Sequence, residues 1–340
     1  MRVSFIGAGL QTSRRVPVVL DSADDELVEI VDFGTDQPSK LTGKFGCEWS
    51  TDWRRAIERE DVDAVVVCTP PDSHAEISIA AMVNGKHVLC EKPLCRTLPE
   101  ADNMLKTAIN TGRILKCGFN HRHHPAILDA HTRFARGDIG RLISARCTYG
   151  ICGRPGFEKE WRADPQIAVG GQFAEQGVHA IDLFRWFLGE LTEVSCLTSI
   201  GYFKSQRLED NGMALFRSAS GAIAMLHSSM TQWKNVFLLE FSGSEGYLTI
   251  DGLGATYGTE RLLVGKRDFT APFQDHIIEY RGGDASWRNE WREFKAAITE
   301  GREPIGSGYD GREALRLTLA AYESERAKVL IDLGTFGTGS

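Results

Sequence analysis

Short apolar runs alternate with helical patterns over residues 1–122. The runs are four or five residues long and rich in Val, Ile, Leu and Cys, and they lie at Val3–Ile6, Leu27–Val31, Ala64–Cys68, His87–Cys90 and Ile114–Cys117. Helical spacing separates several of them, at Asp52–Glu58, Ser73–Asn84 and Leu98–Asn110. This alternation predicts an α/β fold, a doubly wound Rossmann domain whose parallel sheet carries helices on both faces.

The pattern changes after a helical stretch that begins at Pro125. Strand-like runs separated by glycine-rich turns then dominate, at Leu142–Tyr149, Val194–Ile200, Ala222–Met230, Phe237–Phe241 and Tyr247–Ile250. Two amphipathic helices, Trp287–Thr299 and Arg312–Arg326, close the pattern. We therefore predict a Rossmann domain over 1–122, an α+β domain with a large, mostly antiparallel sheet over 123–333, and a loose tail over 334–340.

Composition and charge exclude several classes of protein. The chain has 340 residues, 42% of them hydrophobic and 25% charged, which is typical of a globular protein. The net charge of −7 and the lack of a basic run argue against nucleic acid as a partner. Because no apolar stretch approaches the roughly 20 residues of a membrane helix and no signal peptide is evident, we expect a cytoplasmic protein without membrane contact.

The eight cysteines suggest neither disulfides nor a metal site. Cys68, Cys90 and Cys117 lie in apolar strand-like runs, where a free thiol behaves as a small hydrophobic side chain. Cys90 and Cys95 have no second close Cys or His pair to complete four metal ligands. We expect reduced thiols and no bound metal.

A glycine-rich turn follows the first strand and precedes a helix start. Gly7 permits the tight turn, and Gly9 lets backbone N–H groups, with Leu10 and Gln11 beside them, approach a pyrophosphate at the helix N-terminus. Thr12 replaces the usual third small residue of this motif. A plain strand-to-helix turn is the alternative interpretation.

Asp32 strengthens the dinucleotide interpretation. It ends the second strand, where a carboxylate accepts hydrogen bonds from the adenosine ribose and repels a 2′-phosphate. The sequence thus predicts NAD as the cofactor. Lys40 and Arg14 leave NADP possible.

Two segments at the third and fourth predicted strands resemble a known family. They are Cys68–His74 and Gly85–Leu94, and they closely resemble the Gfo/Idh/MocA family, the relatives of glucose-fructose oxidoreductase and inositol dehydrogenase. The resemblance implies that Thr69, Pro70 and His74 contact the cofactor. It also implies that Glu91 and Lys92 lie beside the nicotinamide, with a cis Pro93 after them.

The resemblance continues through Gly118–Pro125 and Val169–Leu183, so it spans most of the chain. Family members have a glycine pair there, followed by an acid and a histidine four residues apart, which here are Glu175 and His179. In a helix this spacing places both side chains on one face. The family more often has Asp at the position of Glu175. The resemblance also implies a homodimer or homotetramer. This agrees with the predicted open face of the antiparallel sheet, which would need a partner.

The chemistry that such a site requires assigns candidate roles. Removing a hydride from a carbinol carbon requires the hydroxyl proton to leave while charge develops on the oxygen. His179 is the natural general base, Lys92 can stabilise the alkoxide or relay the proton, and Glu175 can orient the imidazole or hold a substrate hydroxyl. A surface lysine, a core histidine and a helix-start carboxylate are the respective structural alternatives.

Further candidates flank these motifs. Asn120 is predicted to contact the cofactor, and Arg122, with His124 nearby, to line the substrate pocket at the carboxyl edge of the sheet, although a polar hinge explains them equally well. Trp161 and Arg162 suit stacking on a sugar ring with donation to its hydroxyls, or else ordinary aromatic packing.

Three functions remain open from the sequence. The first is an NAD(P)-dependent dehydrogenase that transfers a hydride between nicotinamide and a secondary alcohol of a sugar, glycoside or cyclitol. The second is a glycosidase or lyase that oxidises the ring transiently with bound NAD. The third is a non-catalytic sensor that retains the dinucleotide site, which the presence of both Lys92 and His179 argues against.

Overall fold

The computed structural model describes residues 1–32, 40–203, 207–270 and 274–337, and the side chains of 40–42 also lie outside the description. The chain forms two compact units. The first comprises Met1–Phe119 with Trp287–Arg312, and the second comprises Asn120–Ser286 with Glu313–Ser340.

The first unit contains the predicted parallel sheet. Within its described residues, six parallel strands have the order β3-β2-β1-β4-β5-β6. The strands are β1 (Arg2–Ile6), β2 (Glu26–Val31), β3 (Glu48–Ser50), β4 (Ala64–Val67), β5 (His87–Cys90) and β6 (Leu115–Cys117). The order reverses between β1 and β4, and the carboxyl ends of strands at such a switch point are where open α/β sheets bind ligands.

Nine α-helices occur in the described ranges of the chain. They are α1 (Leu10–Leu20), α2 (Lys40–Phe45), α3 (Trp53–Glu58), α4 (His74–Val83), α5 (Leu98–Thr111), α6 (Pro125–Ala135), α7 (Val178–Leu188), α8 (Ser286–Glu300) and α9 (Gly308–Ala327). At α5, Thr97 and Glu100 form a capping box, and Gly112 ends the helix with a φ of +64°.

The prediction that the first domain ends at residue 122 and that everything beyond belongs to the second requires a correction. The break after Phe119 lies close to the predicted one, but residues 287–312 belong to the first unit. The reason is packing, because Trp291 and Phe294 of α8 are buried in the same core as Val3, Phe5 and Leu89. The Trp291 indole also donates to Asp25 at 2.8 Å.

The second unit contains the large mixed sheet that the turn pattern predicted. Its described strands have the order β14-β13-β12-β11-β7-β10-β9-β8-β15, and every pair is antiparallel except β10 with β7. The strands are β7 (Leu142–Cys152), β8 (Leu191–Ser199), β9 (Asn211–Ser218), β10 (Ile223–Ser229), β11 (Thr231–Gly243), β12 (Gly246–Asp251), β13 (Glu260–Lys266), β14 (Asp275–Tyr280) and β15 (Ile331–Asp332). The inner face packs against α7, whose Ile181, Phe184 and Phe187 are buried.

The predicted loose tail is partly wrong. Phe336, which lies inside the predicted tail of 334–340, packs against the core of the second unit. Arg316 donates to the carbonyls of Leu333 and Phe336, at 2.7 and 3.2 Å. The last three residues, 338–340, lie outside the described part of the chain.

All eight cysteines lie within the described residues and are free thiols. No described helix combines the length and the apolar character that crossing a bilayer requires. Over the same residues, no group of three His, Cys, Asp or Glu side chains is arranged to hold a metal ion.

Candidate functional site

The turn after β1 has a backbone that only glycine fits at its first position. Gly7 has a φ of +101°, and a Cβ there would lie 2.7 Å from the carbonyl oxygen of Cys68. The Thr12 hydroxyl donates to the Gly7 carbonyl at 2.5 Å. The departure from the usual third glycine therefore closes the turn instead of disturbing it.

Helix α1 begins directly after this turn with no side-chain cap. Gly9 is its N-cap residue, and a Cβ at Gly9 would meet no atom within 4 Å. The first backbone N–H groups of a helix lack intrahelical partners and carry the positive end of its dipole. In the same turn, the side-chain oxygen Oε1 of Gln11 is buried without a hydrogen-bond partner among the described residues. The cradle formed by Gly9, Leu10 and Gln11 fits the pyrophosphate of a dinucleotide.

Asp32 lies at the carboxyl end of β2, next to β1 in the sheet. Its backbone N–H donates to the Ser50 carbonyl at 3.0 Å, and its side chain is partly exposed. This is the position at which a carboxylate recognises an adenosine ribose. Of the two basic residues that left NADP possible, Arg14 is exposed, and the Lys40 side chain lies outside the described residues.

His74 connects the two loops of the family-like motifs. One ring nitrogen lies 2.8 Å from the Thr69 carbonyl oxygen, and the other lies 2.9 Å from that of Pro93. His74 is 1% exposed. Burial lowers the pKa of His74, although hydrogen bonds to the two carbonyls favour the protonated ring. His74 thus fixes the loop of Thr69 and Pro70 against Pro93.

Glu91 is anchored by a buried cation that the sequence analysis did not single out. Arg15 of α1 donates to Glu91 at 2.6 Å and to Glu290 of α8 at 2.7 Å, and all three side chains are buried. Burial opposes the charge on Arg15, but the carboxylates of Glu290 and Glu91 raise the pKa of Arg15 overall. Burial raises the pKa of Glu290. An isolated buried charge is costly, so the three groups stabilise one another.

These contacts fix Lys92 from both sides. Glu91 before it is held by Arg15, and Pro93 after it has its carbonyl in contact with His74. The peptide bond between Lys92 and Pro93 is cis, as the resemblance implied. Lys92 itself is only partly buried between two buried neighbours. The backbone on both sides of Lys92 is therefore held in place.

The glycine pair of the second unit is explained by close contacts. A Cβ at Gly170 would collide with the Tyr322 side chain, and one at Gly171 would collide with the backbone of Glu209. The buried Glu209 carboxylate accepts from the backbone N–H groups of Gly171 and Phe173, at 3.0 and 3.1 Å, and from the Tyr322 hydroxyl at 2.7 Å. Burial raises the pKa of Glu209. Glu209 thereby caps the helical turn that carries the predicted acid.

This turn differs from the predicted α-helix. Residues Phe173–Gly177 form a π-helical turn, and α7 begins only after it, at Val178. Glu175 lies on the π-turn, where its carboxylate is 3.3 Å from the Arg162 guanidinium. His179 lies in the first turn of α7 and is 4% exposed. Single π-turns within helices are frequent at functional sites.

The ring of His121 stacks on the ring of His179. Their centroids are 3.8 Å apart and their planes differ by 22°. His121 also has one ring nitrogen 2.9 Å from the Tyr149 hydroxyl and the other 3.2 Å from the Asn120 side-chain oxygen. The Asn120 amide in turn donates to Ser286 at 2.9 Å. Asn120, a predicted cofactor contact, is therefore engaged within the second unit.

Arg122 and His124 are both buried and paired. Arg122 makes two bonds to Asp182, at 2.8 and 2.6 Å, and is 3% exposed. His124 lies 3.0 Å from Glu260, whose carboxylate also accepts from the backbone N–H of Ala126 at the start of α6. Burial works against ionisation of Glu260, but its bonds with His124 and with backbone N–H groups lower its pKa overall. These contacts favour a structural role for Arg122 and His124, as polar residues that pair within the protein, over contact with a substrate.

Trp161 and Arg162 lie together on a short 3-10 turn. The Arg162 guanidinium lies 4.3 Å from the centroid of the Trp161 ring and contacts Glu175. Both side chains are partly exposed. The structure thus brings together three of the predicted substrate residues, an aromatic face, a donor and an acceptor.

Sequence reasoning missed Arg15, Glu290, Glu209, His121 and Tyr149. A usable signal existed for Arg15, a charged residue on the face of α1 that also carries the buried Thr12, Val16 and Val19. The others have no comparable signal, because apart from the contact of His121 with Asn120 their partners are distant in the sequence.

Two family models match the chain. The Gfo/Idh/MocA oxidoreductase family with an NAD-binding Rossmann fold matches residues 1–119, and the C-terminal domain of the same family matches residues 127–249. Together they cover most of the chain.

Individual relatives and solved structures are consistent with the family models. Levoglucosan dehydrogenase of Pseudarthrobacter phenanthrenivorans is 28% identical over 85% of each chain, and inositol 2-dehydrogenase of Rhizobium meliloti is 28% identical over 98% of this chain and 99% of its own. A solved levoglucosan dehydrogenase in complex with NADH and levoglucosan superposes with a TM-score of 0.89, at 25% identity, over 98% of this chain and 99% of its own.

We predict that Arg15→Met destabilises the protein by about 3 to 5 kcal/mol, because it leaves Glu91 and Glu290 buried without their shared cation. Denaturant unfolding followed by circular dichroism measures this change. Arg14→Met, at the exposed neighbouring position, serves as the matched control and should change the free energy of unfolding by less than about 0.5 kcal/mol. Equal effects of the two substitutions would show that the buried network does not stabilise the fold.

Proposed function

The chain belongs to the Gfo/Idh/MocA family of NAD-binding oxidoreductases, and on that premise we propose that it transfers a hydride between nicotinamide and a secondary alcohol of a sugar, glycoside or cyclitol. The observation that carries the proposal is that the backbone on both sides of Lys92 is held, by Arg15 at Glu91 and by His74 at Pro93, in the unit that also contains the glycine turn fitted to a dinucleotide. The inositol and levoglucosan dehydrogenases among its relatives support the substrate class.

The dinucleotide would be held by Gly7, Gly9, Leu10 and Gln11 at the pyrophosphate and by Asp32 at the ribose, with Thr69, Pro70, Glu91 and Asn120 as further candidate contacts. When bound, it accepts the hydride. Asp32 favours NAD over NADP, because a carboxylate at this position repels a 2′-phosphate.

The chain's own residues handle the proton and the substrate. His179 takes the hydroxyl proton as general base, and the Lys92 ammonium stabilises the negative charge that develops on the substrate oxygen. Trp161 offers an aromatic face to the ring, and Arg162 and Glu175 offer a donor and an acceptor for its hydroxyls. Glu175 already pairs with Arg162, so we assign it to substrate hydroxyls in preference to orienting His179.

An apolar outer face supports a homodimer or homotetramer. Leu197, Met213, Leu215, Ile223 and Met225 are 40 to 68% exposed on adjacent strands β8, β9 and β10, and they alternate with buried residues. Contiguous exposed apolar side chains on a sheet typically mark an interface.

The free thiols are typical of a reducing compartment and support our expectation of a cytoplasmic protein.

We predict that the purified protein reduces NAD with one or a few members of a panel of inositols, anhydrosugars and glycosides. His179→Asn should lower kcat by about 10²- to 10⁴-fold, because a positioned general base contributes that much. Lys92→Met should lower it by about 10²- to 10³-fold through loss of charge stabilisation. Absorbance at 340 nm measures the reaction.

The exposed His276→Asn and Lys106→Met are the matched controls and should leave kcat unchanged. Release of an aglycone without net NADH would identify the transient-oxidation glycosidase instead. If dinucleotide binds and no member of the panel reacts, the protein acts as a sensor and the dehydrogenase proposal is wrong.

We predict that Leu215→Asp converts the oligomer into a monomer, because it places a charge at the centre of the apolar face. Light scattering coupled to gel filtration measures the molar mass. Ile109→Asp, at an isolated exposed position of α5, should leave the oligomer intact. A wild-type protein that elutes as a monomer contradicts this part of the proposal.

A further inference from the structure

His121 belongs to a chain of hydrogen bonds that ends on a carboxylate. The Ser286 hydroxyl donates to Asp284 at 2.5 Å, and the Asn120 amide donates to Ser286 at 2.9 Å. The Asn120 side-chain oxygen then faces Nδ1 of His121 at 3.2 Å. Nε2 of the same ring lies 2.9 Å from the Tyr149 hydroxyl.

The donor and acceptor properties of these groups give the chain one direction. The Asp284 carboxylate only accepts, so the Ser286 hydroxyl donates to it and accepts from the amide nitrogen of Asn120. The Asn120 oxygen must then accept, which places a hydrogen on Nδ1 of His121. A neutral ring with Nδ1–H has its lone pair on Nε2, where the Tyr149 hydroxyl donates.

The chain continues beyond Tyr149 toward the π-turn. Tyr149 hydrogen-bonds with Tyr257, and the Gln176 amide donates to the Tyr257 hydroxyl at 3.4 Å. Burial raises the pKa of Tyr149 well above its ordinary value, so its hydroxyl keeps the proton that it donates. A Tyr149 hydroxyl that donates to Nε2 completes a neutral ring with its hydrogen on Nδ1.

Because the two rings are stacked, the charge state of His121 affects His179. The two rings meet face to face at 3.8 Å, and both are buried. A positive charge on His121 would oppose a second one on His179 at this distance. Two further titratable groups lie near His121 among the described residues. They are Tyr149 and His124, whose ring centroids lie 5.3 and 5.6 Å from that of His121, and His124 is itself paired with Glu260.

We propose that His121 is a positioning residue for His179, a neutral Nδ1–H imidazole that fixes the plane of the base from its face and leaves His179 as the ring that takes the substrate proton. This inference deepens the proposed function and rests on it, because the role of His121 depends on His179 acting as the base. The hydrogen-bond chain sets the orientation of His121, and the stack transmits that orientation to His179.

Nitrogen-15 NMR of protein labelled in its histidines tests the assigned state without any substrate. The shifts distinguish protonated from unprotonated ring nitrogens, and comparison with the His121→Phe spectrum assigns the signals of His121. We expect an Nδ1–H neutral ring at pH 7, and Tyr149→Phe should move the Nε2 signal because it removes the donor. An Nε2–H tautomer or a charged His121 at pH 7 would overturn the proposal.

Kinetics test the consequence for the base. His121→Phe keeps an aromatic ring but loses both in-plane anchors, so kcat should fall about tenfold through misorientation of His179, while KM for substrate and for NAD stays within about twofold. Tyr149→Phe, which keeps the imidazole, should lower kcat by a smaller factor. It also gives a second variant if His121→Phe folds poorly.

His131→Phe is the matched control. His131 stacks on Trp186 with the same 3.8 Å centroid separation but lies outside the hydrogen-bond chain. It should keep kcat within about twofold of the wild type. A His121→Phe enzyme with wild-type kcat overturns the proposal, as does an equal loss in His131→Phe. If the wild type turns over no substrate, the proposed function fails, and the NMR measurement still decides the state of His121.

Discussion

The position of Lys92 depends on the buried pairing of Arg15 with Glu91. Glu91 is 5% exposed, and a carboxylate buried to this extent requires a partner. Arg15 is that partner, in a bond of 2.6 Å. A second carboxylate, Glu290 of α8, also pairs with Arg15. Because Arg15 belongs to α1, the helix whose first turn forms the pyrophosphate cradle also fixes the motif that carries the lysine. The proposed pyrophosphate site and the position of the Lys92 backbone thus depend on one structural element.

The second unit uses a buried carboxylate for a comparable purpose. Glu209 satisfies backbone N–H groups at Gly171 and Phe173 that would otherwise be buried without partners at the start of the π-turn. The two glycines are required because Tyr322 and Glu209 approach where side chains would lie. The proposed site residues of each unit are therefore held by neighbouring groups, Arg15 and Glu209, to which we assign no chemical role.

Local pattern was sufficient for the fold class, and the motifs indicated the candidate site residues. The alternation of strands and helices predicted the parallel sheet, and turn spacing predicted the mixed one. The placement of α8 could not be predicted, because the amphipathic pattern of Trp291 and Phe294 indicates that one face is buried but not in which core. Likewise, Arg15 pairs with residues 76 and 275 positions away, and Glu209 caps a turn 36 positions before it. Such contacts are set by the fold, and only the burial pattern of α1 gave a local signal for Arg15.

The departure of Glu175 from the family's usual Asp has a physical explanation in its neighbours. The π-turn and the longer side chain let its carboxylate reach Arg162, 13 residues earlier in the chain. Arg154 and Glu160 form a second pair on the same loop, so two cations face two anions. A balanced set of this kind offers donors and acceptors without a net charge. That suits the hydroxyls of a neutral ring, because each hydroxyl both donates and accepts, and it leaves Lys92 as the proposed source of positive charge.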